Sequence, residues 1–157
     1  MSPSTSAALR RILAVATTAV VGCALGIAGF GVYFSKAASY LGTDPATCAN
    51  CHVMTDYYDA WGKGPHAAVA TCDDCHLPAD GVIDQWRVKL SDGVLHTTKF
   101  TLQTYPQNIR IRESSRAVVD SSCVWCHTDF TNDIRLVAAT TGDEVSCVRC
   151  HAGVGHR

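Results

Sequence analysis

The sequence predicts a mainly α-helical protein of low secondary-structure content: one N-terminal transmembrane helix, then a small domain whose core is cofactor rather than side chains. Three observations carry this expectation. A run of 23 residues without a charge extends from Ile12 to Phe34. Four times a Cys-x-x-Cys pair is followed at once by His. Only 110 residues, 48 to 157, are left to surround whatever those four motifs bind.

The apolar run comes first in the chain. At about 1.5 Å per residue it reaches about 34 Å, enough to cross the hydrocarbon of a bilayer. Arg10 and Arg11 precede it and Lys36 follows, and the arginine pair holds the amino terminus in the cytoplasm while the rest goes outward. A cleaved signal peptide has a shorter apolar region, roughly 7 to 15 residues, ending at an Ala-x-Ala-like site. Phe34-Ser35-Lys36-Ala37-Ala38 matches that poorly. The expected organisation is a cytoplasmic segment 1–11, an uncleaved anchor 12–34, a linker 35–47 containing Gly42 and Pro45, and a domain 48–157. Cys23 lies alone inside the run and reads as a small side chain facing lipid or helix.

The four motifs are Cys48-Ala49-Asn50-Cys51-His52, Cys72-Asp73-Asp74-Cys75-His76, Cys123-Val124-Trp125-Cys126-His127 and Cys147-Val148-Arg149-Cys150-His151. This is the attachment signature of c-type haem, in which two thiols form thioethers and the adjacent imidazole reaches the iron. Eight of the nine cysteines fall into it. A disulfide framework would leave the four following histidines as coincidence, and a His beside the second Cys is cramped for tetrahedral zinc. Four covalently bound c-type haems are therefore expected, with about 28 residues for each, too few to wrap each macrocycle in a conventional core. A chain that carries four haems moves electrons. Motifs one and two are 24 residues apart, as are three and four, while 51 separate two from three, so the motifs read as two pairs of a duplicated module. A net charge of −1 and a pI near 6.6 offer no basic surface for nucleic acid.

Four irons present eight axial positions, and the chain has seven histidines. Beyond the motif residues His52, His76, His127 and His151 there are His66, His96 and His156, so at least one position lacks an internal His. Met54 follows His52 by two residues, too closely tethered to cross to the opposite face; it either replaces His52 or packs. The best helix candidate is Gly81 to His96, where Trp86, Lys89, Asp92 or Gly93, and His96 share one face. A core helix would put apolar residues there. The face reads as turned toward haem or quinol, the alternative being a solvated surface.

Taken together, the anchor, the four motifs, the extension of the first to Cys-x-x-Cys-His-x-Met, the Lys89-x-x-Asp92-x-x-x-His96 segment and the closing Cys147-x-x-Cys150-His151-x-Gly153-Val154-Gly155-His156 resemble the NapC/NirT family of membrane-anchored tetrahaem quinol dehydrogenases. Ending one residue after His156, the chain is most similar to the branch that serves cytochrome c nitrite reductase. The resemblance implies Met54 as axial ligand of haem 1, with His52 unbound or oriented elsewhere and Asp92 near the open side of that iron. It implies Lys89 and Asp92 in a quinol pocket, as hydrogen-bonding partner and proton acceptor, and distal ligands among His66, His96 and His156. It also implies oxidation of a quinol, menaquinol being favoured, at the bacterial inner membrane. The haem domain then faces the periplasm and passes electrons to a multihaem nitrite reductase that forms ammonia. A partner side chain completing one iron's coordination belongs to the same set of implications. Rival readings are an anchored carrier without a quinol site, a family member feeding another reductase such as nitrate reductase, and a terminal reductase. The last would need a basic substrate funnel, and Arg110, Arg112 and Arg116 form the one tight basic cluster.

If the anchor is retained, alkaline carbonate washing will leave the chain in the membrane pellet with residues before Phe34 present by mass spectrometry. Release into the supernatant, or a mature terminus beyond Phe34, would refute it.

Overall fold

The computed structural model describes residues 3–141 and 146–156; residues 1–2, 142–145 and 157 lie outside the description. The chain forms two compact units, Met1–Asp44 and Pro45–Arg157. Their boundary falls inside the segment expected to be a linker.

In the first unit, helix α1 runs from Pro3 to Phe34. It begins earlier than the apolar run because nothing before Ile12 breaks a helix, and a proline is tolerated in the first turn, where its missing N–H would have no partner. From Ser6 to Phe34 it is long and apolar enough to cross a membrane, and its described side chains are almost all exposed, as lipid contact requires. Thr18 Oγ1 donates to Ala14 O at 2.9 Å, satisfying the hydroxyl within the helix. Phe30 and Phe34 stack with centroids 5.6 Å apart. A 3-10 turn, Ala37–Leu41, follows.

The second unit holds 3-10 turns at Pro45–Asn50, His52–Met54 and Pro65–Ala68, and six helices: α2 (Thr55–Gly62), α3 (Cys72–His76), α4 (Val82–Thr101), α5 (Glu113–Cys126), α6 (Thr128–Thr141) and α7 (Cys147–Cys150). Helix α3 is a single turn held by a capping arrangement in which the N–H and Oγ1 of Thr71 both donate to Asp74 Oδ2 at 2.7 Å. Gly81, at φ +80, makes the turn into α4, a backbone conformation that side chains with a Cβ rarely adopt. Gln85 then ties α4 to the preceding loop by donating to Pro78 O at 2.9 Å. Helices α3 and α5 pack together, and Ser122 Oγ donates across that seam to Leu77 O at 3.2 Å.

The helical class is as expected, with no strand among the described residues, but the low secondary-structure content is corrected: 76% is helical. The N-terminal helix supplies 32 residues of this, α4 a further 20, and α5 and α6 14 each, while α3 and α7 are single turns formed by attachment motifs. Among the described residues no apolar side chain is buried, and the two buried residues are Thr47 and Ser122. A domain of this length stabilised by its own side chains would bury a hydrophobic cluster worth tens of kcal/mol against a comparable entropy cost. This one does not, so its interior surface has to be completed by another apolar body.

Chain produced without haem attachment should accordingly show helical circular dichroism from α1 but no cooperative melt of Pro45–Arg157, and its amides there should exchange fully. A sigmoidal transition in that material would contradict the argument.

Candidate functional site

Three of the four motifs are built alike. Cys72–His76 is α3 itself, Cys123 and Cys126 form the last turn of α5, and Cys147–Cys150 is α7. In a helical turn residues i and i+3 share a face, so both sulfurs of each pair point the same way. The histidine follows at the helix end, its N–H donating back to the first cysteine's carbonyl at 2.9 Å for His127 and 3.0 Å for His151. The first motif departs from this pattern. Cys48 and Asn50 lie in a 3-10 turn, Cys51 is extended at φ −92, ψ 113, and a new 3-10 turn starts at His52. The break swings His52 onto Phe100, edge to face at 6.3 Å. Met54 is half-buried where this turn joins α2.

The motifs adjoin one another in chain order. The Cys48 side chain hydrogen-bonds Cys72 and raises its pKa, with burial acting the same way. Burial and then Cys147 push Cys123 up to about 11. The repeated 24-residue spacing thus has one geometric outcome, first cysteine against first cysteine in each pair. Between the pairs, burial, then Asp74 and Cys126, raise Cys75. Asp120 of α5 fixes motif four to motif three by accepting the Cys147 N–H at 2.8 Å, capping α7.

The histidines converge in two ring pairs. His76 and His156 lie parallel, 5° apart in plane, with centroids separated by 6.0 Å. His66 and His127 are 6.2 Å apart and nearly perpendicular at 83°. Imidazole nitrogen binds a metal at about 2 Å, so with the half-width of each ring two trans imidazoles on one ion stand roughly 6 Å apart. Both pairs have that separation. His66 Nδ1 donates to Val154 O at 3.0 Å, which leaves Nε2 with its lone pair for a metal, the usual arrangement of a ligating histidine. Trp61 Nε1 closes the loop that carries His66 by donating to Ala70 O at 3.1 Å, and Tyr57 meets His156 edge to face at 5.1 Å. Burial lowers the pKa of His76 and of His156, His156 adding to the effect on His76. The rings therefore stay neutral to lower pH than ordinary imidazoles, and the neutral ring is the ligating form. His76 keeps accessible surface. Arg116 Nε, 4.0 Å from Glu113 Oε2, and Ser146 Oγ are buried without a hydrogen-bond partner. Thiol pairs at i and i+3, paired imidazoles, a half-buried thioether at Met54 and the missing apolar core all fit c-type haem.

Helix α4 turns Lys89 and Asp92 inward, while Asp84, Arg87 and His96 are exposed. Lys89 Nζ lies 2.8 Å from Asp73 Oδ2, both side chains about one-fifth to one-quarter exposed, and 6.0 Å over the Trp86 ring. Asp92 pairs with Arg112, which also reaches Ser115 Oγ at 3.3 Å. Asp92 raises the pKa of His76 and His96 lowers it, so both sit beside the second motif. Of the face expected on this helix, Lys89 and Asp92 are half-buried while Trp86, Gly93 and His96 are exposed. Asp73, Arg112, Asp120, Tyr57 and the Val154 carbonyl were not among the sequence candidates for these contacts. Each acts on a residue 16 or more positions away, and a pairing of that kind leaves no local pattern to read.

Residues 9–157 match the sequence profile of the NapC/NirT cytochrome c family, N-terminal region. The cytochrome c-type protein NrfH of Wolinella succinogenes is 34% identical over 154 residues, covering 93% of this chain and 87% of that protein. The tetrahaem c-type cytochrome CymA of Shewanella oneidensis is 25% identical over 169 residues, 87% of each. Among solved structures, a chain of the cytochrome c nitrite reductase NrfHA complex bound to the HQNO inhibitor superposes with a TM-score of 0.60 at 25% identity, covering 91% of this chain and 88% of that one. A profile spanning both the N-terminal helix and all four attachment motifs, together with an NrfH likeness along nearly the whole chain, places this protein in the NapC/NirT cytochrome c family.

Proposed function

We propose that this chain is a membrane-anchored tetrahaem quinol dehydrogenase that oxidises quinol, menaquinol favoured, and passes the electrons to a periplasmic multihaem nitrite reductase that forms ammonia. The observation that carries the reading is the inward turn of Lys89 and Asp92 onto the attachment segments. Cys48, Cys51, Cys72, Cys75, Cys123, Cys126, Cys147 and Cys150 hold four haems. His76, His127 and His151 would ligate three irons from the motif side and Met54 the first, His52 being turned to Phe100. The ring pairs support His156 as the second ligand at motif two and His66 at motif three, with His96 beside His76 as a pocket residue. Bound haems supply one-electron acceptance and relay, which no side chain here offers.

The polypeptide does the rest. Quinol is confined to the bilayer and gives up two protons with its two electrons. Thirteen residues separate Phe34 from Cys48, so motif one cannot stand farther than roughly 45 Å from the end of the anchor. Asp73 follows Cys72, whose thiol touches Cys48, and Lys89 on Asp73 therefore stands at the junction of motifs one and two. Its ammonium donates to a quinol oxygen and favours the ionised form, while Asp92, oriented by Arg112, accepts a proton. Protons are released on the periplasmic side.

Lys89→Ala and Asp92→Ala should each lower turnover with a menaquinol analogue by about 100-fold, the usual scale for a positioned acid or base, with haem content and reduction by dithionite unchanged. Wild-type turnover in both would remove the pocket.

Magnetic circular dichroism separates the axial assignments. His66→Ala and His156→Ala should each convert one low-spin iron to high spin, whereas His96→Ala should leave the low-spin count as it was; the reverse result would exchange the roles of these histidines.

A further inference from the structure

Helix α4 carries an exposed apolar stripe. Val82, Ile83, Trp86, Leu90 and Val94 recur at steps that keep them on one side of the helix, and that side is exposed: 80% for Ile83, 62% for Leu90 and 67% for Val94. Gln85 and Asp92 point the other way, held by Pro78 O and Arg112, and Lys89 lies at the flank between, over Trp86 and on Asp73. A helix on the surface of a water-soluble domain places its ionisable residues outward and its apolar stripe inward. The attachment segment of motif two lies on the inward side, since Asp73 belongs to it. A contiguous apolar patch of this kind is normally covered.

Tether length says by what. Only ten residues, 35–44, join α1 to the second unit, at most about 36 Å when fully extended. Five of them form the 3-10 turn Ala37–Leu41, which shortens the reach. The domain is thus held permanently at the surface into which α1 inserts. Trp86 lies in the stripe and Arg87, 81% exposed, at its edge, the aromatic and basic pairing that suits the boundary between headgroups and acyl chains.

We propose that the outer face of α4 lies in the headgroup–acyl boundary of the bilayer, with Ile83, Trp86, Leu90 and Val94 among the lipid chains, as a second membrane contact besides α1. It rests on the reading of α1 as an anchor and is independent of quinol oxidation. The contact fixes which side of the domain faces the lipid and holds the Lys89–Asp92 side of the same helix just above it, within reach of a lipid-soluble substrate.

The test uses full-length holoprotein in phosphatidylethanolamine–phosphatidylglycerol vesicles, carrying a photoreactive phenylalanine analogue in place of Leu90, of Val94, or of Phe130, which is 83% exposed on α6. After illumination, mass spectrometry should find phospholipid adducts at positions 90 and 94 about tenfold more often than at 130. Equal yields at the three positions, or adducts at 90 and 94 to porphyrin or to another polypeptide in place of lipid, would overturn the proposal. Carbonate washing of the same vesicles keeps the two readings apart: protein retained in the pellet without lipid adducts at 90 and 94 leaves the anchor standing and refutes the contact at α4.

Discussion

The domain from Pro45 onward buries no apolar side chain among its described residues, and this constraint organises everything else. Side chains that cannot form a core of their own have to be arranged around something that is one. Motifs two, three and four each end a helix, and the contacts that fix relative position are polar: Ser122 on Leu77 O, Asp120 on the Cys147 N–H, His66 on Val154 O. Such contacts contribute about 1 kcal/mol apiece and are directional, so they set geometry more than they supply stability. Stability of the domain then depends on the thioether attachments and iron–imidazole bonds proposed for it.

That division of labour explains the order of the motifs. Because the first cysteines of each pair touch, and motif two meets motif three through α3 and α5, the attachment points form a chain from the segment after the anchor to the far end of the sequence. A relay requires neighbouring redox centres, and the polypeptide meets the requirement by packing attachment turns directly on one another. The odd member is motif one, where the extended backbone at Cys51 separates the imidazole of His52 from the position its counterparts take. An iron that is ligated differently at the start of the relay is where a donor could approach.

Helix α4 links the two demands on the molecule. Its inner face sets Lys89 and Asp92 against Asp73 and Arg112, and its outer face carries an apolar stripe beside the exposed Asp84–Arg87 pair. A helix of that kind is at home between a polar cofactor domain and a lipid surface. One element then serves both as the wall of the proposed quinol pocket and as the floor of the domain.

The sequence alone determined the chemistry. Cysteines at i and i+3 with a following histidine define their ligand through covalent spacing, a local property, and the same holds for the 23 uncharged residues that fix the span of α1. The position of α4 was also legible, from its helical periodicity and Gly81. The partners of the distal histidines were not, because His66 and His156 reach their counterparts across 61 and 80 residues, and nothing in local pattern encodes which of several rings lies opposite. Nor did sequence show that Lys89 pairs with Asp73 and Asp92 with Arg112, or how fully the short segments would close into helical turns. Tertiary structure decided those matters, since facing groups are selected by how the turns pack around a shared interior, and that packing involves the whole domain at once.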